Sequence, residues 1–141
     1  MLLGSRQAAR RFTCEEPYAM ISIVDTEPGL LPSPPRILRP SSFCGRIVIR
    51  CDDVLDEPAS TYGHSMTVAQ AQRIARFVIP LAPRIEALFV HCRQGVSRSA
   101  GAGLAIAQVY HIGIQNIEGE LLFPNPHIRK LESDAVRALM V

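Results

Sequence analysis

The stretch from Ala87 to Tyr110 constrains the fold more than any other part of the chain. It opens with the apolar run Ala87-Leu88-Phe89-Val90-His91 and passes through the polar segment Cys92-Arg93-Gln94-Gly95-Val96-Ser97. It then continues from Arg98-Ser99 into Gly101-Ala102-Gly103-Leu104-Ala105-Ile106-Ala107-Gln108-Val109-Tyr110. The first run is short and apolar without alternation, as in a strand buried on both faces. The last is apolar or small all round, which predicts a buried helix; its glycines weaken the helix but allow close packing. A doubly buried strand leading through a short polar loop into a buried helix belongs in a parallel sheet covered by helices.

The rest of the chain supports that architecture. Tyr18–Val24 and Arg46–Arg50 are apolar runs of the same kind. Between the second and third runs, Val68, Ala71, Ile74, Ala75 and Val78 recur at helical steps, with Gln70, Gln72, Arg73 and Arg76 between them. Thr67 is a suitable N-cap, and Pro80 and Pro83 are expected to end that helix. A third helix is expected after Pro124-Asn125-Pro126, with Asn125 as N-cap, Pro126 at the first helical position, and Ile128, Leu131, Val136 and Leu139 as its periodic residues. The segment Glu27–Pro40 carries Pro28, Gly29, Pro32, Pro34, Pro35 and Pro40 and reads as a loop. The expected fold class is α/β, with a central mostly parallel sheet of four to five strands flanked by helices, and residues 1–141 as one domain.

Composition narrows the function classes. With 48% hydrophobic and 20% charged residues, the chain has an ordinary globular balance. A net charge of +2 is too small to imply a nucleic-acid partner. The cluster Arg6, Arg10 and Arg11 reads as the solvated face of a short helix. The opening Met1-Leu2-Leu3-Gly4-Ser5-Arg6 has too short an apolar run for a signal peptide, and no window approaches the roughly 18 apolar residues of a membrane span. Cys14, Cys44, Cys51 and Cys92 are expected to be free thiols in a reducing, cytoplasmic compartment. With no Cys-x-x-Cys and no His pair at ligand spacing, no metal or cofactor is expected.

The chemistry concentrates between His91 and Ser99. A strand ending at His91 and a helix starting near Arg98 would frame a loop whose central Gly95 can take a left-handed conformation. Successive N–H groups can then line a nest for an anion, and the helix N-terminus adds orphan donors and its positive dipole end. Cys92 stands at the first position of this nest, where the groups that favour phosphate also favour a thiolate. The planar guanidinium of Arg98 can donate two parallel bonds to phosphoryl oxygens. Ser99 can donate to the Cys92 sulfur, and His91 can orient the loop through its ring N–H.

His91-Cys92-x5-Arg98-Ser99 resembles the signature loop of the protein tyrosine phosphatase and dual-specificity phosphatase superfamily, and the order of elements over roughly residues 18–131 resembles its small single-domain bacterial and phage members. The resemblance implies a tyrosine-phosphatase-like fold and a metal-independent hydrolase that forms a cysteinyl-phosphate. Cys92 would be the nucleophile, Arg98 the phosphate clamp, Ser99 the thiolate partner, and Arg93, Gln94, Gly95, Val96 and Ser97 the rest of the substrate-binding loop. The implied substrates are phosphorylated proteins, through phosphotyrosine or with dual specificity, or small phosphoesters. The loop has no Lys, which departs from the Lys-rich loops of phosphoinositide phosphatases.

The implied general acid is an Asp after the second predicted strand, in Arg50-Cys51-Asp52-Asp53-Val54-Leu55-Asp56-Glu57-Pro58. Asp53 is the first choice by position, with Asp52 and Asp56 as alternatives. His64 could contact substrate but reads first as a surface-loop residue, and Asn125 could approach the site although a helix cap explains it sufficiently. Some relatives pair the nucleophile with a nearby thiol, a role open to Cys51, although a buried strand-end cysteine is the plainer and preferred reading. Two other functions use similar loops: a pseudophosphatase that binds phosphorylated partners without turnover, and a rhodanese-like sulfurtransferase. The Arg98-Ser99 pair and the Asp loop favour the phosphatase over the latter.

Overall fold

Every backbone group in Tyr18–Val24 is buried, so each must find a partner in a neighbouring strand. In a computed structural model, which describes residues 1–26, 34–38, 40–54 and 63–140, this strand (β2) pairs on one side with β3 (Phe43–Arg50) and on the other with β4 (Ala87–Cys92). Beyond β4 lie β1 (Leu2–Ser5) and β5 (Gln115–Asn116), so the spatial order is β3-β2-β4-β1-β5 and every pair is parallel. Helices α1 (Arg6–Arg11), α2 (Val68–Leu81), α3 (Arg98–Tyr110) and α4 (Pro126–Met140) complete the fold. The expected α/β class is the observed one, with five strands.

Side-chain alternation along β2 and β4 divides the core in two. Ala19, Ile21, Ile23, Leu88 and Val90 join the larger cluster, with Ala71, Ile74 and Ala75 of α2, Ala102 and Ile106 of α3 and Ile128 and Val136 of α4. Tyr18, Met20 and Phe89 join the smaller one, closed by Ala9 of α1 and Phe12. The Phe12 ring lies tilted 4.5 Å from Phe89 and edge-on 5.2 Å from Tyr18, between ring centroids. A parallel sheet presents the carboxyl ends of all its strands at one edge. Ser5, Val24, Arg50 and Cys92 therefore end their strands on the same side.

Several expectations are corrected. The strands β1 and β5 were not anticipated, and β3 starts at Phe43 rather than Arg46. Pro80 lies inside α2 instead of ending it. So near the C-terminus its missing N–H costs one intrahelical bond, and the chain tightens into a single 3-10 turn over Ala82–Arg84. Leu139 is 38% exposed rather than core, on the last turn of α4. Both predicted caps form: Thr67 accepts from the Gln70 N–H in a capping box, and Asn125 Oδ1 accepts from the Ile128 N–H at 3.1 Å. Asp56 and most of the proline-rich loop lie outside the described residues. Among the described residues, no helix is long and apolar enough to cross a membrane.

One core residue breaks the polar pattern. Glu132 on α4 is fully buried, and neither carboxylate oxygen meets a hydrogen-bond partner among the described residues. Burial pushes its carboxyl up from 4.5 to about 9, so the folded protein holds it protonated while the unfolded chain releases the proton at neutral pH. The stability linked to this group is fully present below the unfolded value and is lost as pH rises toward the folded one. The loss approaches about 1.4 kcal/mol per pH unit between them. Glu132→Gln should remove this slope, matching wild type near about pH 4.5 and exceeding its stability near about pH 8. Urea denaturation across that range checks it, and parallel curves for the two proteins would contradict it.

Candidate active site

The loop between β4 and α3 is held from outside by its carbonyl oxygens. Arg93 C=O accepts from the Arg6 N–H at 3.2 Å, Val96 C=O from the Phe123 N–H at 2.7 Å, and Ser97 C=O from the Asn125 and Gly101 N–H groups at 3.0 and 2.8 Å. A trans peptide points its C=O and N–H in opposite directions. Anchoring these three carbonyls to the surrounding scaffold therefore turns the N–H groups of Gln94, Ser97 and Arg98 toward the loop interior. Gly95 adopts φ +81°, and a Cβ there would land on the backbone of Gly4 and Ser5. Only glycine suits both the left-handed backbone and the close approach to β1.

Cys92 is buried at the centre of this ring. Its Sγ accepts from the Gly95 N–H at 3.3 Å and lies 3.2 Å from Ser99 Oγ. Both groups can donate to negative charge on the sulfur. Arg98, at the first position of α3, is buried beside it. Its Nη1 donates to Asp25 Oδ1 and to the Cys51 carbonyl, each at 2.8 Å. Burial alone would depress the guanidinium, but the Cys92 sulfur and the Asp25 carboxylate outweigh it and hold Arg98 above its ordinary value. Arg93, half exposed, lies 4.0 Å from the other Asp25 oxygen.

Asp25 was not singled out from the sequence. Its signal was available: it is the first residue after β2, a carboxylate at the carboxyl edge of a buried strand, where α/β proteins build sites. What the sequence could not show is that this edge lies beside Arg98, 73 residues away.

The two adjacent aspartates after β3 have separate tasks. Asp52 faces inward and braces the edge: its Oδ1 accepts from the Thr26 N–H, and its Oδ2 from the Thr26 hydroxyl and the His64 N–H. Partial burial pulls Asp52 upward, but the Thr26 and His64 donors, helped by Arg98, prevail and hold it below its ordinary value. A carboxylate so engaged is a poor proton donor. Asp53 is exposed and leans over the loop, its Oδ1 accepting from Ser97 Oγ at 2.7 Å and from Asn125 Nδ2 at 3.0 Å. Asn125 Nδ2 also donates to the Val54 carbonyl at 3.0 Å. Asn125 is thus a helix cap through its oxygen and a clamp on the Asp53 segment through its nitrogen, a second role that the cap alone left unneeded in the sequence.

A cavity of about 200 Å³ is lined by Asp25, Asp53, Cys92, Arg93, Gln94, Ser97 and Arg98. Gly95 and Val96 are not among the lining residues; they shape the loop through their backbones. Ser99 lies behind the sulfur. His91 bonds across the sheet through Nε2 to Ser22 Oγ at 2.7 Å, and burial, outweighing a backbone contact with Cys92, drives it down to about 4. His91 is therefore neutral at physiological pH and ties β4 to β2. His64 engages Asp52 through its backbone. Cys51 is a free, buried thiol pushed up to about 12 by burial, against the opposing pull of Arg98. Among the described residues, no group of three or more His, Cys, Asp or Glu side chains is gathered as a metal would require.

The all-parallel layered sheet and the Cys-x5-Arg loop at its carboxyl edge define an α/β protein of tyrosine-phosphatase-like fold. Among solved structures, the chain is similar to the crystal structure of the human tyrosine phosphatase-like serine/threonine/tyrosine-interacting protein. The TM-score is 0.59 at 13% identity, over 99% of this chain and 93% of that one. At that identity the likeness concerns the fold. No family model and no curated protein sequence matches the chain.

The two roles of Asn125 separate by substitution. Asn125→Ala removes cap and clamp and should lower stability by about 1–2 kcal/mol. Asn125→Ser keeps an oxygen for the cap and should recover part of that loss. Urea denaturation of the three proteins checks it; equal losses in both variants would contradict it.

Proposed function

We propose that the chain is a metal-independent phosphomonoester hydrolase that works through a cysteinyl-phosphate, with phosphorylated proteins as substrates, phosphotyrosine foremost and dual specificity allowed. Residues 1–141 would act as one catalytic domain. The observation that carries this reading is the convergence of Cys92, Arg98 and Asp53 on one cavity lined by inward-turned N–H groups.

In this reading the phosphoryl group occupies the loop, its oxygens accepting from the N–H groups and from Arg98. With Nη1 committed to Asp25 and Cys51, the guanidinium offers Nε and Nη2 as parallel donors to two oxygens. Asp25 is a positioning residue, since it fixes the plane of that fork. The Cys92 thiolate attacks phosphorus, and the ester oxygen leaves with the proton of Asp53, whose Oδ2 is the oxygen not engaged by Ser97 and Asn125. The Asp53 carboxylate then takes a proton from water as that water attacks the phosphocysteine. The sulfur departs as a thiolate, stabilised by the Ser99 hydroxyl and the Gly95 N–H. Phosphate is released and Asp53 is again protonated.

Hydrolysis of p-nitrophenyl phosphate in the presence of a chelator tests the proposal. Wild type should turn over, and Cys92→Ser and Arg98→Ala should each lose at least about a thousandfold in kcat/KM. Asp53→Asn should lose about a hundredfold or more on phenyl phosphate, a poor leaving group, and far less on p-nitrophenyl phosphate. A larger effect of Asp52→Asn would move the acid. Turnover surviving Cys92→Ser would end the reading, and phosphopeptide binding without wild-type turnover would make the chain a recognition module.

A further inference from the structure

Two helices begin beside Asp53, and each gives it a donor. An N-cap serine ordinarily accepts from a backbone N–H of its own first turn. Ser97, at the N-cap of α3, makes no such bond; its Oγ donates to Asp53 Oδ1 at 2.7 Å instead. Asn125 caps α4 through its own Oδ1, which leaves its amide nitrogen for other work, and Nδ2 donates to the same Asp53 oxygen at 3.0 Å. The backbone closes the ring, since the Asn125 N–H donates to the Ser97 carbonyl at 3.0 Å. Bonds that span 44 and 72 residues of sequence thus converge on one oxygen of one carboxylate. Asp53 is exposed, and an exposed side chain without such partners is free to change rotamer.

We infer that Ser97 and Asn125 are positioning residues for proton transfer: together they hold Asp53 by Oδ1, so that Oδ2 is the oxygen that delivers the proton to the leaving group. The inference rests on the phosphatase reading above. Two hydrogens aimed at Oδ1 occupy its acceptor sites and oppose a third, so a proton that joins this carboxylate goes to Oδ2. Ser97 also belongs to the loop that would seat the phosphoryl group, and it lines the same cavity as Asp53 and Cys92. Tying the acid to residue 97 therefore ties it to the phosphate seat itself. A general acid works only within hydrogen-bond reach of the ester oxygen, and a small misplacement of a catalytic group is costly. The missing cap bond of Ser97 and the second bond of Asn125 have one explanation, which is the placement of Asp53.

Asn125→Asp separates this role from capping. It keeps an oxygen for the Ile128 N–H, removes the donor and sets a second carboxylate against Asp53. Ser97→Ala removes the other donor, and Ser97→Thr restores a hydroxyl. Steady-state rates are compared on phenyl phosphate and p-nitrophenyl phosphate, whose leaving oxygens differ in their need for a proton. Asn125→Asp and Ser97→Ala should each lose about tenfold or more in kcat on phenyl phosphate and far less on p-nitrophenyl phosphate, with KM little changed. Ser97→Thr should recover most of the Ser97→Ala loss. In an Asp53→Ala background, Asn125→Asp should add no further loss, because the group it acts through is gone. Equal losses on both substrates, no loss on either, or a full additional loss in the Asp53→Ala background would overturn the inference and leave the phosphatase reading standing. Absence of wild-type turnover on both substrates would overturn that reading and this inference with it.

Discussion

Gly95 lies so close to the end of β1 that no side chain fits between them, and the rest of the site depends on that contact. The Cys92 loop cannot support itself: its residues are mostly polar, its conformation includes a left-handed step, and its N–H groups turn inward, that of Gly95 onto the Cys92 sulfur. It is stable because its outer side is anchored to the scaffold at several points. Gly95 rests on Gly4 and Ser5. The N–H groups of Arg6, Phe123 and Asn125 take its carbonyls. Ser5 is in turn secured by Glu118, whose carboxylate accepts from the Ser5 N–H at 2.7 Å and from its hydroxyl at 2.9 Å. Preorganised donors of this kind need no reorganisation when an anion arrives, and this is where electrostatic stabilisation is strongest.

Charge is distributed over this scaffold with a consistent logic. The buried cation Arg98 is compensated by Asp25 and the Cys51 carbonyl on one edge and by the Cys92 sulfur on the other. Asp52 receives three donors and serves as a brace, while its neighbour Asp53, which lines the cavity, is held through Oδ1 by Ser97 and Asn125. Neighbouring carboxylates on one loop thus differ in task because one meets the Thr26 and His64 donors and the other meets Ser97 and Asn125. His91, adjacent to the nucleophile in sequence, is held neutral by burial and belongs to the sheet.

The legible parts of the sequence were the local ones. The strand runs at 18–24 and 87–91, the Thr67 and Asn125 caps and the Cys92–Arg98 spacing each express a rule that acts within a few residues, and each has a counterpart in the structure. The strands β1 and β5 are too short, at four and two residues, for a hydrophobic pattern to stand out; β1 exists because β4 offers an open edge to pair with, and β5 because β1 then offers one in turn. Asp25 and the second role of Asn125 depend on contacts across more than 70 residues, which no local pattern encodes. Pro80 misled because a proline in the last turn of a helix removes little. Glu132 drew no reading at all, since a carboxylate at a core position of α4 is not expected from amphipathic periodicity.

The central claim is that Cys92 takes the phosphoryl group. Rapid acid quench of the enzyme turning over an aryl phosphate, followed by proteolysis and mass spectrometry, reads it directly. The account predicts one added phosphoryl unit on the peptide that carries Cys92, formed and lost at rates that match turnover. Phosphoryl label on any other residue, or phosphate release at full rate with no covalent adduct, would contradict it.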